Sequence, residues 1–74
     1  MSTAITRTIK SRKVLRGLTD ADLATASGLK LHQLRDRFSG RVSYDADELD
    51  RISKALGYER LSDMLADAEL LRAS

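Results

Sequence analysis

Residues 19–39, TDADLATASGLKLHQLRDRFS, decide the fold. Thr19 can cap a helix, because its hydroxyl accepts from the N–H groups that open the first turn. Asp20 and Asp22 place negative charge at the end where the helix dipole favours it. Asp22, three residues after Thr19, is a shorter substitute for the Glu or Gln of a capping box. Leu23, Ala24 and Ala26 carry an apolar face forward to Gly28, which stops this segment. Glycine suits a turn that needs positive φ. A further segment runs from Lys30 to Ser39, with Leu31, Leu34 and Phe38 sharing one face at i, i+3 and i+7. Lys30 has no side-chain acceptor, so the start of this segment is weakly capped. Gly40 ends it.

Helical spacing continues on both sides. Upstream, Thr3 to Arg16 places Ile5 and Ile9 four apart, followed by Val14 and Leu15, with Arg7, Lys10, Arg12, Lys13 and Arg16 on the outer face. Gly17 closes that segment. Downstream, Asp45 and Glu48 form the Asp variant of a capping box, and Leu49, Ile52, Ala55 and Leu56 make a helical stripe up to Gly57. A last segment, about Arg60 to Arg72, carries Leu61, Met64, Leu65, Ala68 and Leu71 at three- and four-residue spacing. No stretch shows the period-two alternation of a strand. The expectation is an all-α domain of five short helices covering residues 1–74.

A chain of 74 residues buries only about 60% of the surface its unfolded form exposes, so its stability is modest. It has no cysteine, hence no disulfide or thiolate–metal staple, and one histidine leaves too few ligands for an ordinary zinc site. Hydrophobic residues at 42% and charged ones at 32% fit a soluble globule rather than a disordered tail. The longest uncharged run, Leu23 to Leu29, is far short of a membrane span, and the N-terminus lacks an apolar signal region, so the expected location is the cytoplasm.

The net charge of +2 conceals a division. Met1 to Tyr44 holds nine Lys/Arg against three Asp/Glu, for +6; Asp45 to Ser74 holds four against eight, for −4. A positive face of this kind suits a polyanion such as DNA, although charge asymmetry alone fits solvated helix surfaces equally well.

Two short helices joined around a glycine in a basic small domain suggest a helix-turn-helix. Ala24, four residues before Gly28, is small enough to let the helices cross closely, and Leu29 and Leu34 would fill the space between them. The run from Leu18 to Ala24, then Gly28 and Leu29, Leu34, Gly40, and the stretch from Leu49 to Gly57 ending Ala-Leu-Gly resemble the Cro/C1-type helix-turn-helix domains of the phage repressor and Cro family. The resemblance covers about Ile5 to Leu65.

That resemblance implies a lambda-repressor-like fold whose third helix enters the major groove of double-stranded DNA. Its base-facing candidates are Lys30, Leu31, His32, Gln33 and Asp36. Gln33 could pair bidentately with adenine, Lys30 with guanine and Asp36 with cytosine N4, while Leu31 could pack on a thymine methyl. Phosphate or flanking candidates are Thr19 at the start of the second helix, Arg35, Arg37 and Arg41, with Arg12 and Lys10 ranking third. Three departures from the family pattern stand out. Asp20 occupies a position where many relatives use glutamine to touch a phosphate. Lys13 would face Phe38, so the ion pair many relatives form there is missing. Arg37 falls where an apolar residue is expected, so Phe38 should take the core role and leave Arg37 to solvent or phosphate.

The remaining features have ordinary readings. His32 lacks a nucleophile in a recognisable setting and reads as an exposed third-helix residue rather than a catalytic base. Asp45, Asp47, Glu48 and Asp50 lack the glycine and terminal glutamate of a calcium loop, and capping explains them. The last helix carries more apolar residues than one small core needs, Leu70 and Leu71 above all, so a homodimer on a pseudo-palindromic operator is expected. The function expected is a sequence-specific DNA-binding transcriptional regulator, a small phage Cro-like or immunity repressor that blocks a promoter sterically in a bacterial host cell, associated with the nucleoid when bound. It would be no enzyme and would need no cofactor. The chain reads equally as an intact small regulator or as the DNA-binding part of a longer repressor. The alternative is a protein-interaction module on the same scaffold, antitoxin-like or antirepressor, which Asp20 and Asp36 on the expected DNA face would suit.

Overall fold

Thr19 caps a helix as its chemistry suggests: Thr19 Oγ1 accepts from Asp22 N at 3.1 Å, and Asp22 Oδ2 accepts from Thr19 N at 3.0 Å. The computed structural model describes residues 2–73 and arranges them as α1 (Ser2–Leu15), α2 (Asp20–Ser27), α3 (Leu31–Phe38), α4 (Ala46–Ala55) and α5 (Leu61–Ala73). No strand occurs among the described residues, so the all-α expectation holds. Helix α1 packs on α5, α2 packs on α3 and α4, and α4 packs on α5.

The turn between α2 and α3 is tight. Gly28 sits at φ +74°, and Leu29 N donates to Ala24 O at 2.9 Å, which satisfies one of the carbonyls the helix end exposes. Ala24 is buried beneath this crossing. Ser27 is also buried, and it stays satisfied by donating its hydroxyl back to Leu23 O at 2.7 Å. At the entry to α4, Asp45 Oδ1 accepts from Glu48 N at 2.7 Å and Glu48 Oε1 accepts from Asp45 N at 3.2 Å, the reciprocal box the sequence pattern implies.

One core links all five helices through Ile9, Leu23, Ala24, Leu29, Leu34, Ile52, Leu56 and Met64. Phe38 is half-buried and packs against it, as expected, and Leu31 is likewise half-buried. The apolar reading of α1 is corrected at its end: Ile9 is fully buried, but Val14 and Leu15 are 71% and 76% exposed. Five and six residues after Ile9, they lie about 140° and 240° round the helix from it, off the face that meets the core. Leu65 and Leu70 of α5 are exposed as well, while Met64 and Ala68 carry the inward face.

Candidate nucleic-acid interface

Helix α3 is built to show one side to solvent. Leu34 is fully buried and anchors the helix, while His32 and Asp36, four apart, run down the opposite side at the helical period of about 100° per residue. Lys30, His32 and Arg35 are exposed; Gln33 and Asp36 are half-buried. The weak cap foreseen at Lys30 is partly made good, because Gln33 Oε1 accepts from Lys30 N at 3.0 Å. The Gln33 amide N–H₂ keeps its two donors for a ligand.

Arg37 corrects the expectation that it is left to solvent or phosphate. Its Nη2 donates to Glu48 Oε2 at 2.8 Å and its Nε to Glu48 Oε1 at 3.1 Å, a bidentate pair whose side chains are 15% and 8% exposed. The Glu48 carboxylate holds the Arg37 guanidinium firmly charged, raising its pKa further. Arg37 also lies within reach of Gln33 O at 3.5 Å. The same carboxylate therefore caps α4 and grips the C-terminal end of α3. The sequence identified Glu48 only as a cap; an arginine at an apolar position was the one signal that a buried acid waits nearby.

A second correction concerns α1. Lys13 does not face Phe38. It pairs with Asp20 at 3.1 Å and ties α1 to the start of α2, while Lys10, one turn earlier, sits 5.3 Å from the Phe38 ring centroid. The Asp20 charge is thus neutralised within the molecule. Arg12 is engaged elsewhere, stacked 4.6 Å from the Tyr58 ring and donating to Leu56 O at 3.3 Å. Thr19, Arg41 and Lys10 are exposed. With the capping box using the N–H groups of Thr19 and Asp22, those of Asp20 and Ala21 remain as the free donors that open α2. The Asp22 carboxyl is held below the usual range by the backbone and side-chain hydrogen bonds of Thr19.

The charge division of the sequence becomes sharper in three dimensions. All four cations after Tyr44 are neutralised by an acid three or four residues away: Arg51 by Asp47, Lys54 by Asp50, Arg60 by Asp63 and Arg72 by Glu69. Of the nine cations before it, Lys13 and Arg37 are paired; Arg7, Lys10, Arg12, Arg16, Lys30, Arg35 and Arg41 have no carboxylate partner among the described residues. The Asp45–Asp50 acids are consumed by caps and these pairs, and among the described residues no group of acids and histidine is placed to hold a metal. None of the described helices is long and apolar enough to cross a membrane.

A short second helix, a glycine turn, a third helix exposed along one side and three supporting helices define the helix-turn-helix regulator fold. This fold is similar to the crystal structure of the clp gene regulator ClgR from C. glutamicum, with a TM-score of 0.80 and 26% sequence identity over 95% of this chain and 90% of that one. Neither protein-family models nor curated protein sequences match the chain.

Proposed function

We propose that the protein is a sequence-specific DNA-binding transcriptional regulator that reads the major groove with α3. The observation that carries this reading is the distribution of unpaired cations: Lys30 and Arg35 on and beside α3, Arg41 just after it and Lys10 on α1 lack acids among the described residues, whereas every cation after Tyr44 has one. A surface that keeps its positive charge unspent releases counterions when it meets a phosphate backbone. The likeness to a gene regulator supports the same reading.

Lys30, Leu31, His32, Gln33 and Asp36 are the base-reading set, with Arg35 and Arg41 on flanking phosphates and the α2 start at Thr19 as a further anchor. Arg37 acts from inside, fixing the pitch of α3. The regulator is a small repressor of the phage Cro or immunity type, occupying a promoter to exclude polymerase. It works as a homodimer through α5, which Leu70, 69% exposed and lining a groove with Leu15 and Leu71, supports.

Selection of bound duplexes from a random library at moderate salt tests this. Enrichment of a two-fold symmetric motif with half-sites one DNA turn apart is the expected result; a single half-site removes the dimer, and no enrichment removes sequence-specific DNA binding. Asp20 gives less support to a protein-interaction module than its sequence position suggests, because Lys13 already neutralises it.

A further inference from the structure

A cleft of about 160 Å³ separates the N-terminal half of α1 from the turn that follows α3. Thr3, Arg7 and Lys10 line one wall, and Phe38, Ser39 and Gly40 the other. No acidic residue lines it, and neither Arg7 nor Lys10 has a carboxylate partner among the described residues. Two exposed cations one turn apart on the same helix repel each other weakly, and an anion between them would relieve that repulsion. The Lys10 ammonium lies over the Phe38 ring, 5.3 Å from its centroid, a weak attraction that favours its position beside the cleft wall. The opposite wall is the exit of the same helix that carries the base-reading residues, and the exposed Arg41 continues the positive surface from there.

We propose that this cleft is a binding site for a phosphodiester of the DNA backbone, gripped by Arg7 and Lys10, so that α1 is a second clamp on the duplex beside the segment that α3 reads. This rests on the DNA-binding reading above. Arg7 supplies a planar fork suited to two phosphate oxygens, and Lys10 supplies a point charge positioned by an aromatic ring. The apparent surplus of basic residues on α1 then has a use: Lys13 ties α1 to α2, Arg12 packs on Tyr58, and Arg7 and Lys10 face the ligand.

The test is the salt dependence of affinity for a random-sequence duplex, measured for the intact chain, Arg7→Gln, Lys10→Gln, the double variant Arg7→Gln/Lys10→Gln and the charge-preserving Lys10→Arg. Losing one neutralised phosphate lowers the slope of log K against log salt by about 0.9. Because both cations share one phosphate, the expected result is a drop of about that size in the double variant, a smaller drop in each single variant, recovery in Lys10→Arg, and no change in Lys54→Gln, whose cation is already paired with Asp50. Arg7 is exposed and has no carboxylate partner among the described residues, so its substitution leaves folding intact, which the helical signal on melting verifies. An unchanged slope in the double variant, with the unaltered protein binding steeply, overturns the cleft and leaves the DNA-binding function standing. An unaltered protein with no salt-dependent duplex binding overturns both. Inorganic phosphate alone is the second probe: amide shifts at Lys10 and Gly40 on adding it, combined with an unchanged duplex slope in the variants, would make this a free-anion site and overturn the backbone assignment.

Discussion

Arg37 and Glu48 bind each other through both carboxylate oxygens, at 2.8 and 3.1 Å, and so fasten the end of α3 to the start of α4. Breaking one side of such a pair strands a largely buried charge, which costs more than the intact pair contributes. Glu48→Ala should therefore destabilise the fold by about 3 kcal/mol in urea denaturation, since it also removes a cap. Glu48→Gln keeps an acceptor for Asp45 N and should cost roughly half as much. Equal costs for the two variants would show that the lost charge pair with Arg37, not the cap, sets the destabilisation. An unchanged m-value is expected in both cases.

The capping box of α2 has a pH signature. Asp22 has its folded pKa lowered by the Thr19 hydrogen bonds, so its contribution is present above the ordinary carboxylate pKa of about 4 and is lost as pH falls through the folded value. The stability gap between the natural protein and Asp22→Ala should be constant at neutral pH and close as the solution is acidified. A gap that persists at low pH would contradict this. Thr19→Ala, which removes the acceptor for Asp22 N, should cost about 1 kcal/mol at neutral pH.

Local features such as these could be read from the chain because their causes lie within three or four residues. The caps at Thr19 and Asp45, the glycine turn and the buried stripe of Ile52 and Leu56 all follow from neighbours in sequence. Contacts made across the chain could not be read that way. Arg37 finds its acid eleven residues on, in another helix, and nothing near Arg37 specifies that partner. The exchange of Lys10 for Lys13 at Phe38 is an error of one helical turn, which depends on how far α1 slides along the bundle. Periodicity fixes the face of a helix but not its height against a neighbour. The α3 residues proposed to read bases were nameable only through the family resemblance, and the cleft beside them, formed where α1 meets the α3 exit, was not nameable at all.

Gly28 reaches φ +74°, where a Cβ costs roughly 1–2 kcal/mol, so Gly28→Ala should lower the melting temperature by about 4–8 °C for each kcal/mol of destabilisation. A Cβ there would come 3.2 Å from Arg51 Nη1, the end of a flexible side chain that can move aside, so the backbone and not the contact sets the cost. Gly28→Asn should be milder, because asparagine tolerates this conformation. An Arg51→Ala background that rescued Gly28→Ala would reverse that attribution.

Both tyrosines should ionise late. Tyr58 is pushed up to about 12, by burial first and then by its 2.6 Å hydrogen bond to Asp67 Oδ2. Tyr44 is raised chiefly by burial, even though its hydroxyl meets Thr6 Oγ1 at 2.8 Å. A raised folded pKa means the stabilisation is complete below the unfolded value of about 10 and disappears as pH climbs toward the folded one. Spectrophotometric titration should show no tyrosinate forming around the ordinary value while the protein stays folded. Tyr58→Phe should flatten the alkaline loss of stability. A normal step for both tyrosines in the folded protein would show that neither hydroxyl stays buried in solution.

Gln33 offers the sharpest separation of reading from gripping. Its Oε1 is committed to Lys30 N, and its amide N–H₂ can donate to adenine N7 while Oε1 accepts from N6. Gln33→Glu keeps the acceptor for Lys30 but loses the donor, and a carboxylate accepts from cytosine N4 instead. Repeating the library selection with this variant should move the preference at one position of each half-site from adenine to cytosine, with discrimination of about 1–3 kcal/mol. Arg41→Gln should do the opposite: the selected sequence stays the same, affinity for preferred and random duplexes falls alike, and the salt slope drops by about 0.9. If Gln33→Glu instead weakens all duplexes equally with no change in the selected base, Gln33 serves as a cap alone, and the reading surface of α3 narrows to Lys30, His32 and Asp36 with the half-buried Leu31.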